Sequence, residues 1–513
     1  MDVAAPIRSM PHILCATDVE ARMKNEFDVD YSALPEMICP DCACPSEKVP
    51  PSTDTDINPV AAYTLPALYT APLSEDWTLA FNPQGDAGVV VLDQTAWQLL
   101  HRFRQPKRLF DAVCEGDNAL MVQQGILRLA KLQLVQSVDR LSAMRRVPSQ
   151  TLTAWLHITN ACNLRCDYCF LKKTSEAMDE MRGRQAVDAV IRSAVANQFR
   201  RVKLKYAGGE ATLNLPLVIT LHQYARDSAA RHNLTLDGVI LSNGVALSDH
   251  QIRQIRDNDL RLMISLDGIG DLHDSQRRFV NGRGSFARVA QTLDRLAQHG
   301  VTPSLSITLS HRNLAGLPET VAYALNRGLP FSLNFYRAND YAAAYTDLAF
   351  GEEEIIAAMK AAFAVIEQRM PPYRFFGSLL DLVRFDAPHD HTCGVGNSYM
   401  VIDQRGRVAK CHMAIEQTIT DVDAPDPLRL IREDTKGIQY IPVDEKEGCR
   451  TCTWRYWCAG GCPALTYRVT GRFDIKSPNC RIYQALFPEV LRLEGLRLLR
   501  YAGGQPNTLL PCS

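Results

Sequence analysis

Six short apolar runs, Leu152–Ile158, Val202–Tyr206, Gly238–Leu241, Arg261–Ser265, Ser304–Thr308 and Phe331–Phe335, alternate with amphipathic segments. Runs of that length read as strands buried in a sheet, and the segments between them are long enough for the helical crossovers that parallel neighbours require. The pattern predicts an α/β fold on a parallel sheet. Six units are fewer than the eight of a closed barrel, and in parallel barrels ligands gather at the carboxyl ends of the strands. Residues that carry chemistry are expected at those ends.

The loop after the first run holds Cys162, Cys166 and Cys169 in the spacing C-x3-C-x2-C, with Tyr168 before the third cysteine. Three thiolates can ligate three irons of a four-iron cluster and leave the fourth open, whereas structural clusters and zinc sites normally take four protein ligands. The loop resembles the signature of the radical S-adenosylmethionine (SAM) superfamily. That resemblance implies a partial (β/α)6 barrel, one [4Fe-4S] cluster on these cysteines, and SAM chelated to the open iron and cleaved reductively to a 5′-deoxyadenosyl radical.

Motifs at later strand ends extend the resemblance. In Ala207-Gly208-Gly209-Glu210 the glycines allow close backbone approach and the carboxylate can pair with an ammonium group. In the similar family this motif holds the methionyl amine, which makes Gly208, Gly209 and Glu210 expected SAM contacts. Ser242-Asn243-Gly244 and Ser265-Leu266-Asp267-Gly268 offer short polar side chains suited to ribose or carboxylate, so Ser242, Asn243, Ser265 and Asp267 join them. His273-Asp274-x-x-Arg277 resembles a segment whose arginine neighbours the SAM carboxylate, a group that a guanidinium fork fits. Tyr168 resembles the residue that flanks adenine.

A second cysteine series runs Cys393-x12-Gly406-x4-Cys411, then Cys449-x2-Cys452-x5-Cys458-x3-Cys462, then Cys480. It resembles the SPASM extension of radical SAM enzymes, which carries two auxiliary clusters. By that resemblance Cys449, Cys452, Cys458 and Cys480 ligate an outer [4Fe-4S] cluster, and Cys393, Cys411 and Cys462 an inner one, for three clusters in the chain. The inner set is one ligand short. His389, Asp390 and His391 are near enough in sequence to fill it, or an iron is left open for substrate. A zinc ribbon is the alternative for the compact C-x2-C-x5-C-x3-C block. His412, where the sulfatase-maturing branch of the family has an aspartate, is the candidate catalytic base beside the inner cluster.

Residues 1–70 carry turn clusters such as Pro50-Pro51 and read as an irregular lead-in, with Cys39, Cys42 and Cys44 close together. From Trp77 to Val135 a hairpin, Thr78–Phe81 and Val89–Leu92, precedes helices at Thr95–Arg104, Leu109–Val113 and Asn118–Leu132. This winged-helix-like α+β module, bounded at 71–145, resembles the recognition element of enzymes that modify ribosomally made peptides (RiPPs). Such a module adds a leader peptide as a strand at its sheet edge. The remaining divisions are a barrel over 150–340, a helical bridge over 341–385, a cysteine-rich SPASM domain over 386–485, and a C-terminal helix and tail over 486–513.

Lys plus Arg total 56 against 57 Asp plus Glu, so no global field favours nucleic acid or an anionic membrane. The absence of a long apolar run and of a secretory pattern points to the cytoplasm. Ten of the sixteen cysteines sit in metal-ligand spacings, which suits a reducing compartment better than a disulfide framework. Cys15, Cys114 and Cys512 have no assigned role. The expected activity is oxidative cross-linking of a precursor peptide through a carbon–sulfur or carbon–carbon bond. A flavodoxin or ferredoxin is the expected electron donor. Alternatives are oxidation of a protein Cys or Ser in the manner of anaerobic sulfatase-maturing enzymes, peptide epimerisation, and a non-catalytic iron–sulfur scaffold.

Overall fold

The computed structural model describes residues 6–27, 57–139, 149–374, 377, 379–385 and 387–502. Cys39, Cys42, Cys44 and Cys512 lie outside the described residues.

The chain opens with β1 (Ile13–Leu14) and α1 (Ala16–Phe27), followed by β2 (Ala62–Thr64), β3 (Tyr69–Pro72), β4 (Trp77–Phe81), β5 (Val89–Asp93) and α2 (Gln94–His101). Next come β6 (Lys107–Arg108), a 3-10 turn at Leu109–Ala112, α3 (Ala119–Lys131) and β7 (Gln136–Ser137). Asp93 and Asn118 cap α2 and α3 by accepting from the amides of Ala96 and Met121. The main sheet of this module has the order β1-β5-β4-β3, and β6-β2-β7 form a second, smaller one.

Residues 6–27 correct the expectation of an irregular lead-in. β1 pairs antiparallel with β5, and Ile7, Ile13, Val19 and Met23 are buried. The signal was slight: β1 is too short to show a period, and α1 carries only Ala16, Val19 and Met23 at i, i+3 and i+7 to mark a buried face. Both faces of the β4–β5 hairpin are buried. Ala80, Val90 and Leu92 join α2 and α3 in a small core, while Leu79, Phe81, Val89 and Val91 belong to the core of the rest of the molecule.

The central region contains β8 (Thr151–Thr159), β9 (Leu164–Cys166), α4 (Glu180–Ala196), β10 (Arg201–Gly208), α5 (Leu215–Arg231), β11 (Thr235–Ser242) and α6 (Asp249–Asp257). It continues with β12 (Arg261–Ser265), α7 (Asp271–Asp274), β13 (Arg277–Phe279), α8 (Phe286–Gln298), β14 (Ser304–Leu309), α9 (Leu317–Asn326) and β15 (Phe331–Phe335). Strands β8, β10, β11, β12, β14 and β15 pair in parallel in that order, and the sheet is open. All six predicted strands are present, each within a few residues of its expected ends.

After α10 (Glu352–Gln368), β16 (Tyr399–Ile402), β17 (Arg407–Ala409) and β18 (Thr418–Asp421) extend this same sheet to nine strands. β16 runs parallel to β8, with Val401 opposite Trp155. The cysteine-rich region is therefore hydrogen-bonded to the barrel edge. Beyond it lie α11 (Pro427–Glu433), α12 (Arg455–Cys458), α13 (Pro463–Thr470) and α14 (Cys480–Ala502). The last helix starts at Cys480, earlier than the expected boundary at 486.

Alternation along the strands gives the sheet two unlike faces. One presents Leu152, Leu156, Val202, Leu204, Leu305 and Ile307 to the helices. The other carries buried polar residues: Thr153, Lys203, Lys205, Ser306, Ser332 and Asn334. Asn334 Nδ2 donates to Ser306 Oγ and Ser332 Oγ, each at 3.1 Å.

Candidate functional site

The cysteine loop is pinned at several points from different parts of the chain. β9 pairs with β13 so that Cys166 faces Arg277, and Asp167 N donates to Gln276 O at 3.0 Å. Arg312 reaches Asp167 at 2.5 Å, and Asn339 Nδ2 donates to Tyr168 O at 3.0 Å. On the other side, Gly209 N donates to Thr159 O at 2.6 Å and Glu210 N to Ala161 O at 2.9 Å. A Cβ at Gly208 would lie 2.3 Å from Thr159 O, and one at Gly209 2.3 Å from Ala161 O. The two glycines are needed because the strand end and the cysteine loop run backbone against backbone.

Glu210 is buried, and its carboxylate accepts from Thr212 N at 3.1 Å, Thr212 Oγ1 at 2.5 Å, Ser242 Oγ at 2.9 Å and Asn243 N at 2.6 Å. Asn243 Nδ2 in turn donates to Asn163 Oδ1 at 2.7 Å and lies 3.8 Å from Cys162 Sγ. Glu210, Ser242 and Asn243 thus form one network that ends on the first cysteine.

Tyr168, Asp267 and Arg277 form another. The Tyr168 hydroxyl donates to Asp267 Oδ2 at 2.6 Å and receives a bond from Arg277, whose guanidinium is 3.6 Å from Asp267 Oδ2. Gln276 Nε2 and Thr308 N also donate to Asp267, at 3.0 and 2.9 Å. Arg277 Nε is buried and has no hydrogen-bond partner. Ser265, half-buried at the end of β12, takes no part in these bonds and sits opposite Ser306 in the ladder.

Burial raises the Cys162 thiol and pushes Cys166 up to about 12, so without a metal these sulfurs hold their protons. Lys173, four residues beyond Cys169, was not singled out by sequence. Burial works to lower its pKa, but the nearby sulfurs of Cys169 and Cys162, and then Cys166, outweigh it and raise the value. A cation so placed complements thiolates.

The C-terminal cysteines lie within electrostatic reach of one another. Cys449, Cys452 and Cys480 lie near enough to act on Cys458, and Cys462 and Cys393 near enough to act on Cys411. Burial pushes Cys393, Cys411 and Cys458 up to about 12 and Cys449 to about 11. All ten cysteines are free of disulfides. Among the described residues no three His, Cys, Asp or Glu side chains converge closely enough to hold a single metal ion. A four-iron cluster spreads its sulfurs over several irons and suits donors set further apart. In donor chemistry the cysteines fit iron–sulfur clusters. The Glu210 network and the partnerless Arg277 Nε suit a ligand carrying an amine and a carboxylate, while the glycines close the strand end against the cysteine loop.

Around the three-cysteine group, His391 Nδ1 lies 2.6 Å from Asp390 Oδ1, its ring stacks on Tyr440 at 3.5 Å, and its Nε2 is buried without a hydrogen-bond partner. His389 Nδ1 is 3.1 Å from Ala387 O. His412 stacks on Trp155 with centroids 4.8 Å apart and lies 3.2 Å from the Tyr399 hydroxyl. Burial, with the charges of Lys205 and Arg337, lowers its pKa to about 3.

Residues 156–324 match the family model of the Radical SAM superfamily. An uncharacterised protein of Methanocaldococcus jannaschii is 26% identical over 175 residues, 34% of this chain and 58% of that protein. A serine-type anaerobic sulfatase-maturating enzyme of Bacteroides thetaiotaomicron is 30% identical over 145 residues, 27% of this chain and 35% of the enzyme. The chain thus spans about half and about a third of these two relatives. In fold it is similar to native anSMEcpe with bound AdoMet and Cp18Cys peptide, with a TM-score of 0.54 and 17% identity over 69% of this chain and 99% of that one. With the C-x3-C-x2-C loop held at the carboxyl end of a parallel sheet, residues 156–324 are a radical SAM domain.

Proposed function

We propose that the chain is a peptide-modifying radical SAM enzyme that forms an oxidative carbon–sulfur or carbon–carbon cross-link in a ribosomally made precursor. Cys162, Cys166 and Cys169 would hold the SAM-binding cluster, with Gly208, Gly209 and the Glu210–Ser242–Asn243 network around the methionyl amine. Arg277, through its free Nε, would meet the carboxylate, and Tyr168, Ser265 and Asp267 would line the nucleoside side. When bound, SAM and its cluster supply a 5′-deoxyadenosyl radical. The polar sheet face at Lys205, Ser306 and Asn334 would meet the core peptide.

The observation that supports this reading is the C-x3-C-x2-C loop at the carboxyl end of β8, with the region that carries the C-terminal cysteines joined to the same sheet through β16. Two auxiliary clusters would suit an oxidation in which an electron must leave the substrate. We keep His391 as a candidate fourth ligand of the inner set. His412, stacked on Trp155 beside Cys411, stays a candidate base, although burial lowers its pKa. The N-terminal module would bind the leader as an added strand at a sheet edge beside its last helix, α3, raising the local concentration of the core peptide. A flavodoxin or ferredoxin would supply the electron. Among the described residues no helix is long and apolar enough to cross a membrane.

The test is anaerobic co-expression with a small open reading frame encoded beside the gene, read by intact peptide mass. Loss of two hydrogens, absent with Cys162→Ala, is the expected result. An unchanged mass together with deuterium uptake from solvent would replace cross-linking by epimerisation. The second reading, oxidation of a protein Cys or Ser, draws support from the serine-type sulfatase-maturating relative. It predicts turnover of a sulfatase-derived peptide without any leader.

A further inference from the structure

Lys446 is a buried cation that the function proposed above does not use. Lys446 is 5% exposed, and its Nζ donates to Ala459 O at 2.8 Å. Ala459 lies in Cys458-Ala459-Gly460-Gly461-Cys462, the short link from the four-cysteine group to the three-cysteine group. All three linking residues have positive φ: 46° at Ala459, 82° at Gly460 and 69° at Gly461. At Gly460 a Cβ would lie 2.7 Å from Lys446 Cδ and 3.0 Å from Nζ. The glycine leaves room for the lysine stem, and the ammonium meets the link at its first carbonyl. Thr392 Oγ1 donates to the same carbonyl at 3.0 Å and to Gly461 O at 2.8 Å.

The ammonium lies within electrostatic reach of Cys449 and Cys458 in one group and of Cys393 and Cys462 in the other. Other cations are less evenly placed. Lys476 acts on Cys449 and Cys480, and Arg337, which acts on Cys393 and Cys411, is paired with Asp381 at 2.8 Å.

We infer that Lys446 is a positioning residue shared by the two auxiliary clusters: a fixed positive charge at their junction that favours the reduced state of both. The inference rests on the proposed reading of the two cysteine groups as cluster sites. Its physical basis is that reduction adds negative charge to a cluster in a medium of low dielectric constant, where a nearby cation stabilises the product, and that charge and hydrogen bonding around a cluster tune its potential.

The test compares wild type, Lys446→Gln and Lys446→Arg as full-length proteins with clusters reconstituted anaerobically. Iron and sulfide are counted, and each cluster is titrated by potential-controlled electron paramagnetic resonance. Glutamine keeps a donor for Ala459 O but removes the charge; arginine keeps the charge. The expected result is a shift of both auxiliary signals to more negative potential in Lys446→Gln, little shift in Lys446→Arg, and no shift of the SAM-cluster signal in either. Loss of both auxiliary clusters in the glutamine variant alone would also support the charge. Unchanged potentials, a shift of one auxiliary signal only, or equal loss of clusters in both variants would overturn it. Wild type that binds roughly four irons instead of about twelve would instead remove the auxiliary clusters themselves and the inference with them.

Discussion

The two cysteine regions are built on opposite plans. The loop at Cys162, Cys166 and Cys169 gathers its sulfurs within eight consecutive residues, and the fold's task is to hold that loop still through β13, Asn339, Arg312 and the Gly208–Glu210 strand end. The C-terminal cysteines are scattered between Cys393 and Cys480, and the fold must first bring them together. One region needs clamping and the other needs assembly. The first plan makes function sensitive to backbone fit around a loop, and the second makes it sensitive to long-range packing.

Removing a ligand from each region should separate the two plans most sharply. Cys166→Ala should abolish formation of 5′-deoxyadenosine, while Cys449→Ala should retain SAM cleavage but lose peptide product and about four irons, as read by chromatography and iron analysis. Retained SAM cleavage in Cys166→Ala would break the comparison and the proposed function. Next in size, Gly209→Ala drives a Cβ against Ala161 O and should displace the cysteine loop, lowering SAM cleavage on the order of 10²-fold while the auxiliary signals persist.

Smaller effects probe the packing that joins the N-terminal module to the cysteine-rich region. Trp457 is buried, its ring lies 4.7 Å from that of Phe81, and its Nε1 donates to Pro83 O at 2.8 Å. Trp457→Phe removes that donor and should cost about 1 kcal/mol, seen as a lower midpoint in thermal or denaturant unfolding. Within the module, Asp117 is 2.6 Å from Arg102 and accepts from the amides of Ile7 and Cys114. Burial opposes ionisation there, but these donors hold the carboxyl down at about 2. Since the folded pKa lies below the unfolded value of roughly 3.9, the stabilisation is complete above about pH 4 and is lost as pH falls through about 2. Asp117→Asn should cost on the order of 2 kcal/mol at neutral pH and flatten the acid limb of the stability profile. An unchanged acid limb would remove Asp117 from that account.

Much of the central region was legible in the sequence. The six strands showed themselves because each apolar run answers to its own neighbours, and the hairpin of β4 and β5 did so for the same reason. Residues 6–27 escaped notice because β1 has two residues and gains its meaning only from pairing with β5. Glu210, Arg277 and Asp267 were legible as polar residues at strand ends, but their mutual bonds were not, since Glu210 and Ser242 are separated by a whole βα unit. Lys173 and Lys446 carried no signal because a lysine in a sequence is ordinarily a solvated one.

The sequence by itself determined what depends on short range: the strand–helix alternation, the β4–β5 hairpin, and the three-cysteine loop in its C-x3-C-x2-C spacing. Only the tertiary structure decided that β16 to β18 continue the barrel sheet, that residues 6–27 join the N-terminal module through β1, and that the Lys446 ammonium meets the link between Cys458 and Cys462. Spacing along a chain fixes distances over a few residues, where the backbone has few conformations to choose from. Over dozens of residues it fixes almost nothing until packing and strand pairing select a single arrangement.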